Sequence, residues 1–448
     1  MKLIQATSWY FPDSSGGVEV YLDGLVRGLA ERHIENIVAA PKTGYEFDYY
    51  QYNGIEVYRY PLNPSPSQSQ QREQDPPGGF EEFSQWLNAQ KADLYHQHSW
   101  RFGCGLHHLR YARQLGMATV VTIHMPEAVC LRGTMMLNGC SPCDGRIDPV
   151  RCGYCYGVPE RIPAWMSLGL SQVPQRISLA AETQLRASKN VRMRQLGRTV
   201  GIPSQVSAQA QKLREMAQLA DRIVVVCQWL YDAFKLNGIP EDKIVLSRHG
   251  VSYAPTTQPQ HQQPHTPLKI GFLGRLQPTK GVQVLAEAIY NLPKDFPVEL
   301  IIHGVSQGEL SRENEEKVQA MAQTDSRIKL EKKLSRAEIP EAMAGFDVLA
   351  VPSQWLETGP LVVLEAHAVQ VPVLGSNRGG IAELVEDGVD GLLVEADNVE
   401  AWADAIAQLA TDSDLLTRLR HGIKPVKTMN DVAQEMAQLY DQILKNYS

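Results

Sequence analysis

Two carboxylates, Glu357 and Glu365, flank the proline that opens an apolar stretch in Ser353–Ala368, SQWLETGPLVVLEAHA. Pro360 suits the first position of a helix, where its missing N–H costs nothing. A helix from about Pro360 to Val369 leaves the amides of Leu361, Val362 and Val363 pointing at whatever sits before it, an arrangement that favours a phosphate. Glu357 lies in the preceding loop and Glu365 roughly one and a half turns into the helix. One carboxylate can then stand near a sugar and the other near a ribose, with phosphates between them. An ordinary strand–loop–helix with solvated glutamates is the plainer alternative. Upstream, Gly271–Gly281 (GFLGRLQPTKG) sets Arg275 and Lys280 at the carboxyl end of a strand, where two cations suit a diphosphate. Asn377–Glu383 (NRGGIAE) adds a further Gly-rich turn.

The first half carries weaker signals. In SSGGVE, Gly16 and Gly17 let backbone approach an anion at a helix start. The turn is not GxGxxG, so a dinucleotide-binding fingerprint is not supported. His124 ends the strand-like run Thr119–His124, and His96 and His98 end LYHQH, where they would border an acceptor site. Five of the seven cysteines crowd between residues 130 and 155. Cys140-x2-Cys143-x8-Cys152-x2-Cys155 forms two knuckles of the kind that hold tetrahedral zinc, with Cys130 a fifth candidate. An iron–sulfur cluster also suits thiolates, and unligated thiols are the third reading. Four thiolates leave no open position for water, so the expected metal is structural.

These residues need elements to place them. A chain of 448 residues is long enough for two domains. Short apolar runs alternate with helical periods in both halves, which predicts an α/β fold with parallel sheets. Strands are expected at Lys2–Thr7, Ile37–Ala40, Gly54–Tyr58, Leu94–His96, Thr119–His124 and Ile223–Val226. In the second half they are expected at Leu268–Leu273, Val298–Ile302, Ile328–Glu331, Val348–Val351, Val371–Leu374 and Gly391–Val394. The Pro/Gln-rich segment 254–267 reads as a linker. It divides an N-terminal domain, 1–253, from a C-terminal domain, 268–425. Residues 426–448 read as a helix returning to the first domain, and the first domain carries insertions at 130–156 (Cys-rich) and 160–220 (helical). Sites at the carboxyl ends of both sheets would face a shared cleft.

Composition, 43% hydrophobic and 21% charged, is that of a globular protein, and the net charge of −7 argues against general nucleic-acid binding. No stretch approaches the roughly 20 apolar residues of a spanning helix, and no secretory pattern opens the chain. The expected location is cytoplasmic, with peripheral attachment to the inner membrane face left open. Arg161–Arg214 holds nine Lys or Arg and one acid, Glu182. It reads either as a contact for an anionic membrane, lipid-diphosphate or acidic glycan, or as a solvated helical insertion.

The order GRLxxxKG, DVLAVPS, E-x7-E within ETGPLVVLEA, and GG-x2-E resembles the retaining glycosyltransferases of family 4, which have the GT-B fold. The resemblance covers most of the second half and, more weakly, both ends of the first. It implies that Arg275 and Lys280 hold the donor diphosphate, that Glu365 bonds the ribose hydroxyls, and that Glu357 contacts the donor sugar. It also implies that amides of the stretch Gly359, Pro360, Leu361 and Val362 touch sugar and phosphate, that the Gly16–Gly17 loop faces the diphosphate, and that His124 contacts the sugar. Gln370 departs from the pattern, which has Gly there. Some members share a similar Cys stretch, and they would select Cys130, Cys143, Cys152 and Cys155 rather than the two knuckles; both sets stay open. The implied reaction moves a sugar from a UDP-, GDP- or ADP-sugar to a carbohydrate, lipid-linked or small acceptor, with retention and no catalytic metal. A nucleotide-sugar epimerase, a phosphorylase and a catalytically silent glycan- or partner-binding protein are the alternatives.

Overall fold

The computed structural model describes residues 1–14, 16–253 and 264–447. They divide into two compact units, Met1–Arg248 with Met429–Ser448, and His249–Thr428. The division falls at 248 rather than 253 because the intervening residues bond into the second unit. His249 Nδ1 meets Gly359 O at 3.0 Å, Val251 N–H donates to Lys427 O, and the Tyr253 hydroxyl donates to Glu365 O. Residues 254–263 of the expected linker lie outside the described residues. Its far end is not loose, since His265 N–H donates to the Asp347 carboxylate at 3.1 Å.

In chain order the strands of the first unit are β1 (Lys2–Ala6), β2 (Glu35–Thr43), β3 (Asp48–Tyr52), β4 (Ile55–Leu62), β5 (Leu94–Gln97), β6 (Ala118–Ile123), β7 (Met136–Leu137), β8 (Ser141–Pro142), β9 (Arg222–Val225) and β10 (Ile244–Leu246). The main sheet runs β10-β9-β6-β5-β1-β2-β4-β3, parallel except for β3. Its order reverses between β1 and β5. The inner strands are buried on both faces, as in a sheet covered twice, with Gln5, His96 and Gln97 among their buried residues. Helix Gly17–Ala30 buries Tyr21, Leu25 and Leu29 beside Val432, Met436, Leu439 and Tyr440 of the C-terminal helix Met429–Leu444, over Leu3, Leu94 and Val120. A Cβ at Gly28 would stand 2.6 Å from that of Ala433, so the two helices meet closely only because Gly28 has no side chain.

The second unit contains β11 (Leu268–Arg275), β12 (Val298–Val305), β13 (Ile328–Glu331), β14 (Val348–Val351), β15 (Val373–Ser376) and β16 (Gly391–Val394). All are parallel, in the order β13-β12-β11-β14-β15-β16. This is the doubly wound order with its switch between β11 and β14, where such sheets bind ligands. One face packs on Leu285, Ile289 and the fully buried Trp402, the other on Val363, Ala366 and Ile381.

Several features depart from the sequence reading: strand β10 and the short hairpin β7–β8 were not among the expected strands. Strand β3 was not expected, although Asn53 (φ 49°) and Gly54 (φ 79°) form the left-handed Asn-Gly turn that pairs Tyr52 with Ile55. The basic segment is three helices, Ala164–Ser171, Gln175–Arg186 and Val191–Leu219. Part of its charge is neutralised locally, by Arg176–Asp75, Arg186–Glu182 and Lys212–Glu73 pairs. Glu182 is buried and also pairs with Arg72 at 2.6 Å. Among the described residues no helix is long and apolar enough to cross a membrane.

Candidate functional site

The carboxyl end of β11 runs into a short turn, Pro278–Lys280, and the carboxyl end of β14 into the loop that carries Glu357. The two loops are stitched together. Gln354 N–H donates to Thr279 O at 2.8 Å, and a Cβ on Gly281 (φ 75°) would lie 1.7 Å from Pro352 O. Only glycine permits that approach and that backbone angle. The stitching brings Lys280 Nζ to 2.5 Å from Glu357 Oε1 and over the Trp355 ring at 5.5 Å.

Glu357 is buried, and its Oε1 accepts from three donors: Lys280, the Ser353 hydroxyl at 2.7 Å and the Trp355 indole N–H at 2.9 Å. Burial alone would raise its pKa. The Lys280 charge and the three hydrogen bonds outweigh burial and hold the carboxyl below the ordinary value. The third Gly-rich turn supports this loop from behind. Gly380 N–H donates to Glu357 O at 2.6 Å, and a Cβ on Gly379 (φ 50°) would stand 2.9 Å from Leu356 Cα and 3.0 Å from Glu357 N.

Helix Leu361–Ala368 follows, with Pro360 as its N-cap in extended conformation. Leu361 and Val362 present amides with no helical acceptor. Val363, expected to do the same, instead donates to Pro360 O at 3.1 Å. The bend before the helix is held by His249, whose Nδ1–H donates to Gly359 O. His249 was not recognised in the sequence, where nothing near it marks a contact with a loop 110 residues away. Glu365 is half-buried on the helix. Burial raises its carboxyl pKa, opposed by the Arg336 charge. Arg275 is exposed at the strand end and makes no ion pair among the described residues. Gln370 occupies a left-handed turn (φ 61°), which accounts for glycine being favoured there.

In the first unit the Gly16–Gly17 turn caps helix Gly17–Ala30. The chain's own Glu19 carboxylate occupies part of that helix start: it accepts from the Ser14 hydroxyl, and its Oε2 would lie 2.8 Å from a Cβ on Gly16. His98 and His124 lie just past the ends of β5 and β6, His96 lies within β5, and all three are buried. Burial makes His96 and His98 inward-facing, so they do not line a surface as expected. A cavity of about 370 Å³ opens at the same edge, lined in part by Trp100, Phe102, Glu127, Arg132, Gln205 and Lys212.

The five clustered thiols are free, and among the described residues no three His, Cys, Asp or Glu side chains are arranged to hold a metal. The sulfurs of Cys152 and Cys155 each accept a backbone N–H, from Asp148 at 3.4 Å and from Asn138 at 3.2 Å.

Residues 16–250 match the family described as glycosyl transferase 4-like domain, and residues 254–424 match glycosyl transferases group 1. The chain belongs to the GT4-type glycosyltransferases. A D-inositol 3-phosphate glycosyltransferase of Corynebacterium glutamicum (strain R) is 32% identical over 188 residues, 40% of this chain and 44% of its own length. One from Corynebacterium jeikeium (strain K411) is 37% identical over 153 residues, 33% of this chain and 36% of its own. The chain thus spans less than half the length of the curated relatives it matches. Among solved structures, sucrose-phosphate synthase from Thermosynechococcus elongatus superposes with TM-score 0.64 at 16% identity, over 100% of both chains. The catalytic domain of starch synthase IV from Arabidopsis thaliana, bound to ADP and acarbose, gives 0.61 at 14% identity over 99% of each. HepE of Anabaena, in complex with UDP and glucose, gives 0.60 at 16% identity over 100% of this chain and 99% of its own. These neighbours establish the fold, which is GT-B.

Two outcomes follow for this glycosyltransferase. Gly379→Ala forces a side chain into the backbone of the Glu357 loop at an unfavourable φ. It should cost roughly 1–3 kcal/mol in denaturant unfolding and weaken nucleoside-diphosphate binding. His249 is buried and its pKa is lowered to about 4 by burial, against the Gly359 bond that favours its protonated form. Because that lies below the free value, the unfolded chain takes up the extra proton first. The contribution is whole above about pH 6.5 and is lost as pH falls toward 4, on the order of 3 kcal/mol. His249→Gln can keep the N–H to Gly359 O without titrating, and thermal unfolding from pH 7 to 4.5 should show a shallower fall than in the wild type.

Proposed function

We propose that this glycosyltransferase binds its donor through the second unit and transfers the sugar with retention at the anomeric carbon. The observation that carries the reading is the buried, charged Glu357 beside Lys280 at the switch point of a doubly wound sheet. Breaking the bond from sugar to diphosphate puts positive charge on the anomeric carbon and negative charge on the departing phosphate. Lys280, Arg275 and the Leu361 and Val362 amides would stabilise the departing diphosphate. Glu365 would take the ribose hydroxyls. An oxygen that already accepts three bonds is a poor nucleophile, which supports Glu357 as the group that orients the sugar. His124 and the Gly16–Gly17 turn would complete the donor contacts. The first unit would hold the acceptor, in the cavity beside Trp100 and Arg132, where an aromatic face and polar groups suit a hydroxyl-rich ring.

UDP and ADP in the structural neighbours favour those bases, and a GDP-sugar belongs in the same panel. With UDP-, GDP- and ADP-hexoses the chain should hydrolyse or transfer from one, and NMR of the product should show the donor's own anomeric configuration. Glu357→Ala or Arg275→Ala should lower kcat/KM by at least about a hundredfold. Full activity in either variant contradicts the site, and an inverted product contradicts retention.

Two lesser parts belong to the same proposal. The helices of residues 164–219 expose Trp165, Ile177, Met193 and Leu196 beside Arg192 and Arg194, which supports seating on an anionic membrane face, from a cytoplasmic location. The Cys-rich piece, hairpin β7–β8 with helix Pro149–Tyr156, would carry zinc on four of Cys130, Cys140, Cys143, Cys152 and Cys155. Backbone N–H bonds to two of the sulfurs suit thiolates. Metal analysis of the purified chain should find one zinc per chain. Its survival in Cys140→Ser selects the set containing Cys130, and its loss selects the two knuckles; absence of zinc in the wild type removes this part.

A further inference from the structure

The buried polar groups behind His124 form a directed chain. Ile34 O can only accept, so the Asn36 side-chain nitrogen donates to it, at 2.8 Å. That turns Asn36 Oδ1 toward Gln5, and the facing Gln5 atom must be its nitrogen, at 3.1 Å. Gln5 Oε1 is therefore the atom that meets His98 Nε2, at 2.8 Å. A carbonyl oxygen has no proton to give, so His98 carries its proton on Nε2. His98 is fully buried among Tyr21, His96 and His124, and burial, with the neighbouring His96, keeps its pKa well below 6.5, so it holds a single proton. Its Nδ1 is then a lone pair. That lone pair faces His124 Nε2 at 3.3 Å, and the bond forms only if His124 is the donor.

We propose that Gln5 and His98, anchored by Asn36, are positioning residues that fix His124 with its proton on Nε2 and its lone pair on Nδ1. When the ring carries that single proton, it accepts through Nδ1. It suits a sugar hydroxyl, which can donate, and does not suit a phosphate oxygen, which cannot. The relay thus deepens the reading of His124 as a donor-sugar contact and rests on that reading for its effect on catalysis. Its tautomer is independent of it. The neighbouring histidine is held separately: His96 bonds Tyr440 OH through Nδ1 at 2.6 Å and Thr122 Oγ1 through Nε2 at 2.7 Å. Gln5 and Asn36 sit on β1 and β2, His98 just past β5 and His124 just past β6, so the relay runs across four adjacent strands of one sheet.

The test is long-range 1H–15N correlation on the full chain labelled with 15N-histidine, His124 being assigned by the loss of its signals in His124→Gln. The expected result is a protonated Nε2 and an unprotonated Nδ1 on His124. A proton on Nδ1 overturns the relay, and this readout needs no variant to fold. Two variants carry the consequence to turnover. His98→Gln can donate to Gln5 and accept from His124, and should keep kcat within about twofold. His98→Leu cannot, and should lower kcat about tenfold with donor KM less affected. Equal losses in the two variants overturn the positioning role. If the wild type shows the Nε2–H tautomer but His124→Gln transfers sugar at full rate, the relay stands and the donor-sugar role of His124 falls.

Discussion

The second unit is organised around a carboxylate that must stay charged while buried. Removing a carboxylate from water is costly unless it is paired and fully bonded. Glu357 meets that condition through Lys280, Ser353 and Trp355. Each partner comes from a loop that must be placed to within a few tenths of an ångström, and the glycines make that placement possible. Gly281 lets the Lys280 turn press on Pro352, and Gly379 and Gly380 let a third loop close on the Glu357 backbone. Three loops that follow three different strands are thereby locked into one polar cluster.

The first unit repeats the architecture with a different interior. Its sheet also reverses order between two central strands, and the buried Gln5, His96 and His98 there are neutral. Gln5, His96 and His98 are held by hydrogen bonds rather than by charge, and burial keeps the imidazoles uncharged. Such a network suits hydroxyl chemistry as the Lys280–Glu357 pair suits a diphosphate and a sugar. The C-terminal helix takes part in it, through Tyr440 on His96.

The parallel strands were legible because strands covered on both faces must be almost wholly apolar, and runs such as Ile223–Val226 and Val348–Val351 are. Edge strand β3, DYYQY, is not apolar, and only the Asn53–Gly54 turn marked it. Glu357 and Lys280 were both singled out in the sequence, one for a sugar and one for a phosphate. Their contact across 77 residues was not legible, because it depends on two loops being stitched through Gln354 and Gly281. His249 and the Asn36–Gln5–His98 chain were missed for a related reason. Lone polar residues at strand ends acquire meaning only when the sheet sets them side by side. The helical segment 160–220 read as basic, yet part of its charge is spent on Asp75, Glu182 and Glu73, two of which lie outside it.

Calorimetric titration of the full chain with UDP, GDP and ADP tests the central claim most directly, comparing the wild type with Lys280→Met. The account predicts that one of the three binds the wild type, and that the variant binds it at least about tenfold more weakly while keeping its fold by circular dichroism. Undiminished affinity in Lys280→Met, or no binding of any of the three to the wild type, would contradict it.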